Sequence, residues 1–266
     1  MALAARPENA PASRRPRFRS GFPRFVALLV LAVVAFRSFL FTPFTIPSAS
    51  MLPGLIEGDY LVAAKWPYGY SRWSLPFDAP LIEGTVLARL PERGDVAIFR
   101  HPVDGTEYIK RVVGLPGDTI ALRKGTVILN GVPARHTRMA DFLLPVHGTR
   151  DCAWGAVAET APDGERGCRF AQYRESLPNG RSYPVLDYGA TPQDDFGPVA
   201  VPPGHVFMLG DNRDNSQDSR FAARPLGGVG MVPTDRLAGR FEAVLFSTAD
   251  WPEWLGGVSR RGSMTP

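Results

Sequence analysis

From Phe25 to Phe36 the chain reads FVALLVLAVVAF without a polar side chain, and after Arg37-Ser38 the apolar character resumes through Phe39-Leu40-Phe41. Such a run is best satisfied as a helix in hydrocarbon, where backbone groups must bond one another. Taken over 25–41 it reaches about 25 Å at ~1.5 Å per residue, slightly short of a ~30 Å bilayer core, and spans it if Arg37 snorkels to the far interface. Ahead of it stand Arg6, Arg14, Arg15, Arg17, Arg19 and Arg24, opposed there only by Glu8. The positive-inside rule therefore puts a basic tail, 1–24, in the cytoplasm and everything after Phe41 outside, with membrane lipid as a partner. A cleaved signal peptide is the competing reading, since Ser48 and Ser50 mimic a processing site, but they lie too far beyond the apolar core. Pro43 and Pro47 end the helix and force an extended exit.

Beyond the anchor come short β-rich runs separated by turns, at 60–64, 95–99, 108–113, 119–122, 126–129, 206–209 and 240–246. No helix-length stretch accompanies them, so the expected fold is mainly β, an antiparallel sheet domain over 42–250. Asn130-Gly131 after Val127-Ile128-Leu129 is a strong hairpin turn. Between about 141 and 199 the composition shifts to charge, Gly and Pro, which reads as part of an inserted β-rich subdomain, about 119–200, outside the core. The tail 251–266 pairs Trp251 and Trp254 with Arg260-Arg261, suited either to a membrane interface or to packing on the domain.

Hydrophobic residues at 44% exclude a disordered chain, and the net charge of +4 is concentrated in the first segment. That pattern favours a membrane-proximal tail over a nucleic-acid surface, which needs basic and aromatic residues interleaved across a folded face. Cys152 and Cys168 can close a disulfide loop, remain free thiols, or join His136 and His147 at zinc, although the spacing fits no standard metal-ligand pattern.

Lysine occurs only as Lys65, Lys110 and Lys124, while arginine carries the remaining cationic charge. A guanidinium stays protonated, whereas a buried ammonium can lose its proton and act as a general base, which makes Lys110 a catalytic candidate. None of His101, His136, His147 and His205 sits in a triad or metal motif, and no Gly-x-Ser-x-Gly elbow is present. A serine nucleophile in this chain needs another base, and a Ser-Lys pair is the known alternative.

Just past the anchor stands Ile46-Pro47-Ser48-Ala49-Ser50-Met51-Leu52-Pro53. Later come Tyr108-Ile109-Lys110-Arg111-Val112-Val113-Gly114-Leu115-Pro116-Gly117-Asp118 and Gly210-Asp211-Asn212-Arg213-Asp214-Asn215-Ser216-Gln217-Asp218-Ser219-Arg220. With Gly58-Asp59-Tyr60 and Arg93-Gly94-Asp95-Val96 between them, these segments closely resemble bacterial type I signal peptidase, also called leader peptidase, from about Phe41 to Phe246. The match is poor through the insertion.

The resemblance implies a membrane-bound serine endopeptidase with Ser50 as nucleophile and Lys110 as general base, at the bacterial cytoplasmic membrane with its catalytic domain on the extracytoplasmic face. Desolvation must lower the amine's pKa toward ~7 to 8 for that role, and Tyr108, Ile109 and Met51 can supply the apolar setting. Ser48 would join the Ser50 backbone N–H as the oxyanion hole, Ser216 would orient the lysine, and Arg111, Asp211, Asp218 and Arg220 would form supporting ion pairs. Preproteins with small residues at the first and third positions before the cut are the implied substrates. Ile46, Leu55, Tyr108 and Ile109, with Met51 beside them, would line shallow pockets along a peptide bound as an added strand. No metal or organic cofactor is implied.

Two departures stand out. After Arg220 the family's aromatic-Gly step is replaced by Phe221-Ala222-Ala223-Arg224-Pro225-Leu226-Gly227-Gly228, and one apolar segment stands where some members have two. The rival functions are a conjugation-type maturation peptidase with the same pair, and an inert envelope scaffold or peptide-binding module. A soluble Ser-Lys self-cleaving repressor is disfavoured because the anchor replaces any DNA-binding domain.

Overall fold

The computed structural model describes residues 21–75, 78–145, 152, 155–160 and 166–248. The arginines up to Arg19, His147, Trp251, Trp254 and Arg260-Arg261 lie outside the described residues. Helix α1 occupies Gly21–Phe39, beginning before Phe25 and stopping short of Phe41. Every residue of α1 except Ser38 is exposed, so nothing in the fold covers its apolar surface, and it is long and apolar enough to cross a membrane. The Ser38 hydroxyl donates back to the Val34 carbonyl at 2.7 Å in the last turn. One residue later the chain is already extended.

Strand β1 (Phe41–Thr45) is followed by β2 (Asp59–Ala64), the short β3 (Tyr70–Ser71) and β4 (Thr85–Val86), then β5 (Val96–Arg100) and β6 (Glu107–Gly114). The middle of the chain forms β7 (Thr119–Arg123), β8 (Thr126–Leu129), β9 (Val132–Pro133), β10 (Arg135–Arg138), β11 (Phe142–Pro145), β12 (Val157–Thr160), β13 (Arg166–Phe170), β14 (Gln172–Ser176), β15 (Ser182–Leu186) and β16 (Phe196–Ala200). β17 (His205–Leu209), β18 (Val232–Pro233) and β19 (Leu237–Ser247) complete the fold. Apart from α1, the described residues form only single 3-10 turns as helical structure. The fold is mainly β, as expected.

The principal sheet is antiparallel in the order β1-β2-β19-β5-β6-β17-β18. β1 sits at its edge, the one place where Pro43 interrupts no ladder between two neighbours. β5 reads Val-Ala-Ile-Phe and is buried on both faces, the signature of a central strand. It pairs Ala97 with Lys110 and Val96 with Arg111. The ladder of β19 is irregular between Leu237 and Gly239, between Phe241 and Ala243 and between Val244 and Phe246, the kind of irregularity that bends a strand. Asn130 and Gly131 form the hairpin between β8 and β9, with φ of 52° and 80°, the left-handed pair that a two-residue primed turn requires.

The middle strands make three small sheets, β16-β7-β8-β9, β10-β14-β15 and β11-β13-β12. The first two of them pack against the principal sheet. Ile120, Leu122, Val127, Tyr183 and Val185 form one apolar cluster with Val113, Phe207 and Leu209 of the principal sheet. In β15 the alternate residues Tyr183 and Val185 face this core, a period-two signal hidden by Pro184 and the surrounding charge. Of the three states open to the cysteines, the bridge is formed: Cys152 and Cys168 are joined by a disulfide. His136 instead stacks on Tyr173, ring centroids 4.4 Å apart.

Candidate active site

Ser50 lies in the 3-10 turn Ala49–Met51 between β1 and β2. Three contacts hold that turn against the loop after β17. The Asn212 backbone N–H donates to the Ser50 carbonyl at 3.1 Å and the Asn212 side chain donates to the Ala49 carbonyl at 3.0 Å. At Gly210 the two segments touch so closely that no side chain fits. Behind the turn, Met51 and Leu55 join Ile46, Leu61, Ile98 and Ile109 in an apolar cluster.

Lys110 projects from β6 and is 3% exposed. Its Nζ donates to the Ser50 Oγ at 2.7 Å and to the Ile109 carbonyl at 3.0 Å. Burial lowers its pKa to about 8, against the opposing pull of Asp218 and Asp211. In the neutral amine the same 2.7 Å contact runs the other way, with the hydroxyl donating to the nitrogen lone pair. Ser48 is exposed, its Oγ 3.3 Å from that of Ser50.

Ser216 lines the same cleft, but the expected hydrogen bond to the amine is absent. Its buried Oγ has no hydrogen-bond partner, and Lys110 takes the Ile109 carbonyl as its second acceptor.

Both expected ion pairs are present. Arg111 grips Asp211 in a bidentate fork at 2.7 and 2.6 Å. Arg220 does the same to Asp218, with both contacts at 2.9 Å, while the Gly210 N–H also donates to Asp218 at 3.1 Å. Sequence reasoning missed a third pair at the centre of this loop. Arg213 grips Glu175 of β14 at 3.0 and 2.6 Å, and the Tyr183 hydroxyl donates to the same carboxylate at 2.7 Å. Both members are essentially without exposure. No motif flags Glu175, because its partner lies on a loop 38 residues away.

The cleft has a volume of about 490 Å³ and opens between β1 and β6. Four places separate these strands in the sheet, so the sheet must curl for both to reach one cavity. Ile46, Tyr108 and Ile109 line it as expected, with Phe44, Ile98, Glu107 and Leu226 in addition. Met51 and Leu55 do not line it. They are 1% and 3% exposed and pack beneath the floor, because the 3-10 turn that presents Ser50 rotates its next neighbour inward. Among the described residues no group of three or more His, Cys, Asp or Glu side chains is placed to hold a metal ion.

Residues 20–246 match the family described as signal peptidase, peptidase S26. The chain belongs to that family. It is a hydrolase, a peptidase, and similar proteins carry the same description. The signal peptidase I of Rickettsia typhi is 36% identical over 239 residues, which is 85% of this chain and 80% of that protein. That of Rickettsia massiliae is 33% identical over 253 residues, 91% of this chain and 84% of its own length. A solved signal peptidase I from Enterococcus faecalis V583 overlaps 58% of this chain and 98% of its own at 21% identity, with a TM-score of 0.30, a likeness too slight to bear on the fold.

Proposed function

We propose that this signal peptidase family member is anchored by α1 in the bacterial cytoplasmic membrane, N-terminus inside, and removes signal peptides from exported preproteins after small-x-small sites. The observation that carries this reading is the buried Lys110 amine, 2.7 Å from the Ser50 hydroxyl, at a cleft beside an edge strand. In the reaction the neutral amine takes the hydroxyl proton as the Ser50 Oγ attacks the scissile carbonyl. The proton then passes to the departing amine, leaving an acyl-enzyme. Water, deprotonated by the same lysine, attacks the ester and releases the serine. Ser48 and the Ser50 N–H stabilise the oxyanion, donors typically worth about 3 kcal/mol each.

Ser216 orients the amine once the cleft closes on peptide, since catalytic hydrogen bonds are often unformed in a free enzyme. The three ion pairs of the 210–220 loop hold it against the nucleophile turn. β1 offers its open edge to an extended peptide, and a substrate tethered in the same bilayer meets the cleft at raised effective concentration.

The test is cleavage of a purified preprotein by the full chain in detergent. Ser50→Ala and Lys110→Ala are each expected to abolish it. Turnover retained by either variant rejects the mechanism.

A further inference from the structure

The 221–228 segment leaves one apolar side chain exposed at the cleft. Leu226 lines the cavity, is 81% exposed, and belongs to none of the apolar clusters. Its φ of 54° lies in the left-handed region, which residues with a Cβ seldom adopt. The backbone is pinned there from several sides. The Leu226 N–H donates to the Asp104 carboxylate at 2.8 Å, and that carboxylate is itself fixed by the Thr106 N–H at 2.9 Å and the Thr106 hydroxyl at 2.6 Å. The Gly227 N–H donates to the Arg224 carbonyl at 3.1 Å, and the Arg224 N–H to the Gly228 carbonyl at 3.0 Å. The Gly228 carbonyl also lies 3.1 Å from the buried His101 Nε2.

A leucine held in water on a constrained, multiply pinned backbone contributes nothing to the packing of its own chain. The cleft lining also includes the polar Glu107, Asn215 and Gln217. Its position along the cleft follows from its anchors. Asp104 and His101 belong to the loop between β5 and β6, and His101 packs on Tyr108, ring centroids 5.0 Å apart. Tyr108 precedes Lys110 by two residues on β6, which is about 7 Å of strand. Resting on the reading of the cleft as a peptide site, we propose that Leu226 determines specificity by packing on an aliphatic side chain of the substrate. That side chain lies about two residues from the scissile bond, on the stretch of peptide passing over Tyr108.

The experiment uses the full chain in detergent micelles and a set of soluble peptides sharing one small-x-small site. A single residue is changed from serine to leucine at each of the positions flanking the cut other than the first and third before it. The native chain is expected to prefer leucine at one position by about 5- to 20-fold in kcat/KM, carried by KM. Leu226→Ser and Leu226→Gly are expected to lose that preference to within about twofold, and Leu226→Met to restore it. Glycine suits the left-handed backbone, so its loss of preference cannot be attributed to misfolding.

Position profiles of the serine and glycine variants that superimpose on the native one overturn the proposal while leaving the peptidase reading intact. So does a defect that is uniform over all peptides. A native chain inert toward every peptide overturns the peptidase reading, and this proposal with it.

Discussion

A Cβ placed on Gly210 would stand 2.2 Å from the Ser216 Oγ and 2.7 Å from the Ser50 carbonyl oxygen. Two functional segments thus meet across a glycine with no room to spare. Gly210→Ala must push the nucleophile turn and the loop apart. The expected outcome is a loss of activity of at least about 100-fold, because a misplacement near 1 Å is that damaging to reacting groups. The accompanying loss of stability is only about 1–3 kcal/mol. Initial rates and thermal melts on the same preparation separate the two effects.

On the proposed mechanism the lysine sets the pH dependence. With the Lys110 pKa lowered to about 8, the reactive neutral amine grows about tenfold per unit as pH rises toward that value, then levels off. A kcat/KM profile should show that limb, and Lys110→Arg should be inactive throughout, since a guanidinium never releases its proton. Stability carries the same signature. The unfolded chain holds this proton up to about 10.5 and the folded one only to about 8, so between those values the unfolded state binds more protons. Stability from this group therefore rises with pH across that window, and Lys110→Met should flatten the rise in melts recorded from pH 7 to pH 11.

The Glu175–Arg213 pair joins the middle strands to the catalytic loop in full burial. Glu175→Ala strands a guanidinium without water or counter-charge, and a stability loss of about 3–5 kcal/mol is expected. Replacing both with apolar residues, Glu175→Leu with Arg213→Met, should recover most of that loss while activity stays low, because the loop has lost the tether that aims it. Denaturant melts of the single and double variants, paired with rates, check this.

The disulfide lies behind the turn that carries Ser50. Cys168 packs with Leu52, Ile56, Phe170 and Leu186, and Ala49 rests against the same cluster. Cys152→Ser with Cys168→Ser reopens a loop with a sequence separation of 16, which in the chain-entropy account is worth about 3 kcal/mol. Loss of activity should accompany the lowered melting point, because the cluster supports the turn carrying Ser50. A native-like melt in the double variant or under reductant would contradict this.

Of the principal sheet, β2, β5, β6, β17 and β19 were legible as β-rich runs between turn residues, whereas the edge strands β1 and β18 were not. Ser50 and Lys110 were legible from resemblance and from chemistry together, since one requires a base and the other is the residue type able to become one. Pro43 pointed to an extended exit, but it took the structure to show a paired edge strand there. Met51 and Leu55 were misplaced because a linear motif does not reveal which way a 3-10 turn rotates its neighbours. Glu175 was invisible for a different reason. Its role depends on a loop 38 residues away, and a single sequence contains no signal for that distance.

Only Leu40 separates the end of α1 from the start of β1. The wall of the cleft is thus an unbroken continuation of α1, with no slack between them. On the proposed reading such a junction acts as a depth gauge: any rocking of the helix is transmitted to the edge offered to the peptide, and the height of the blade above the bilayer is set by the chain itself.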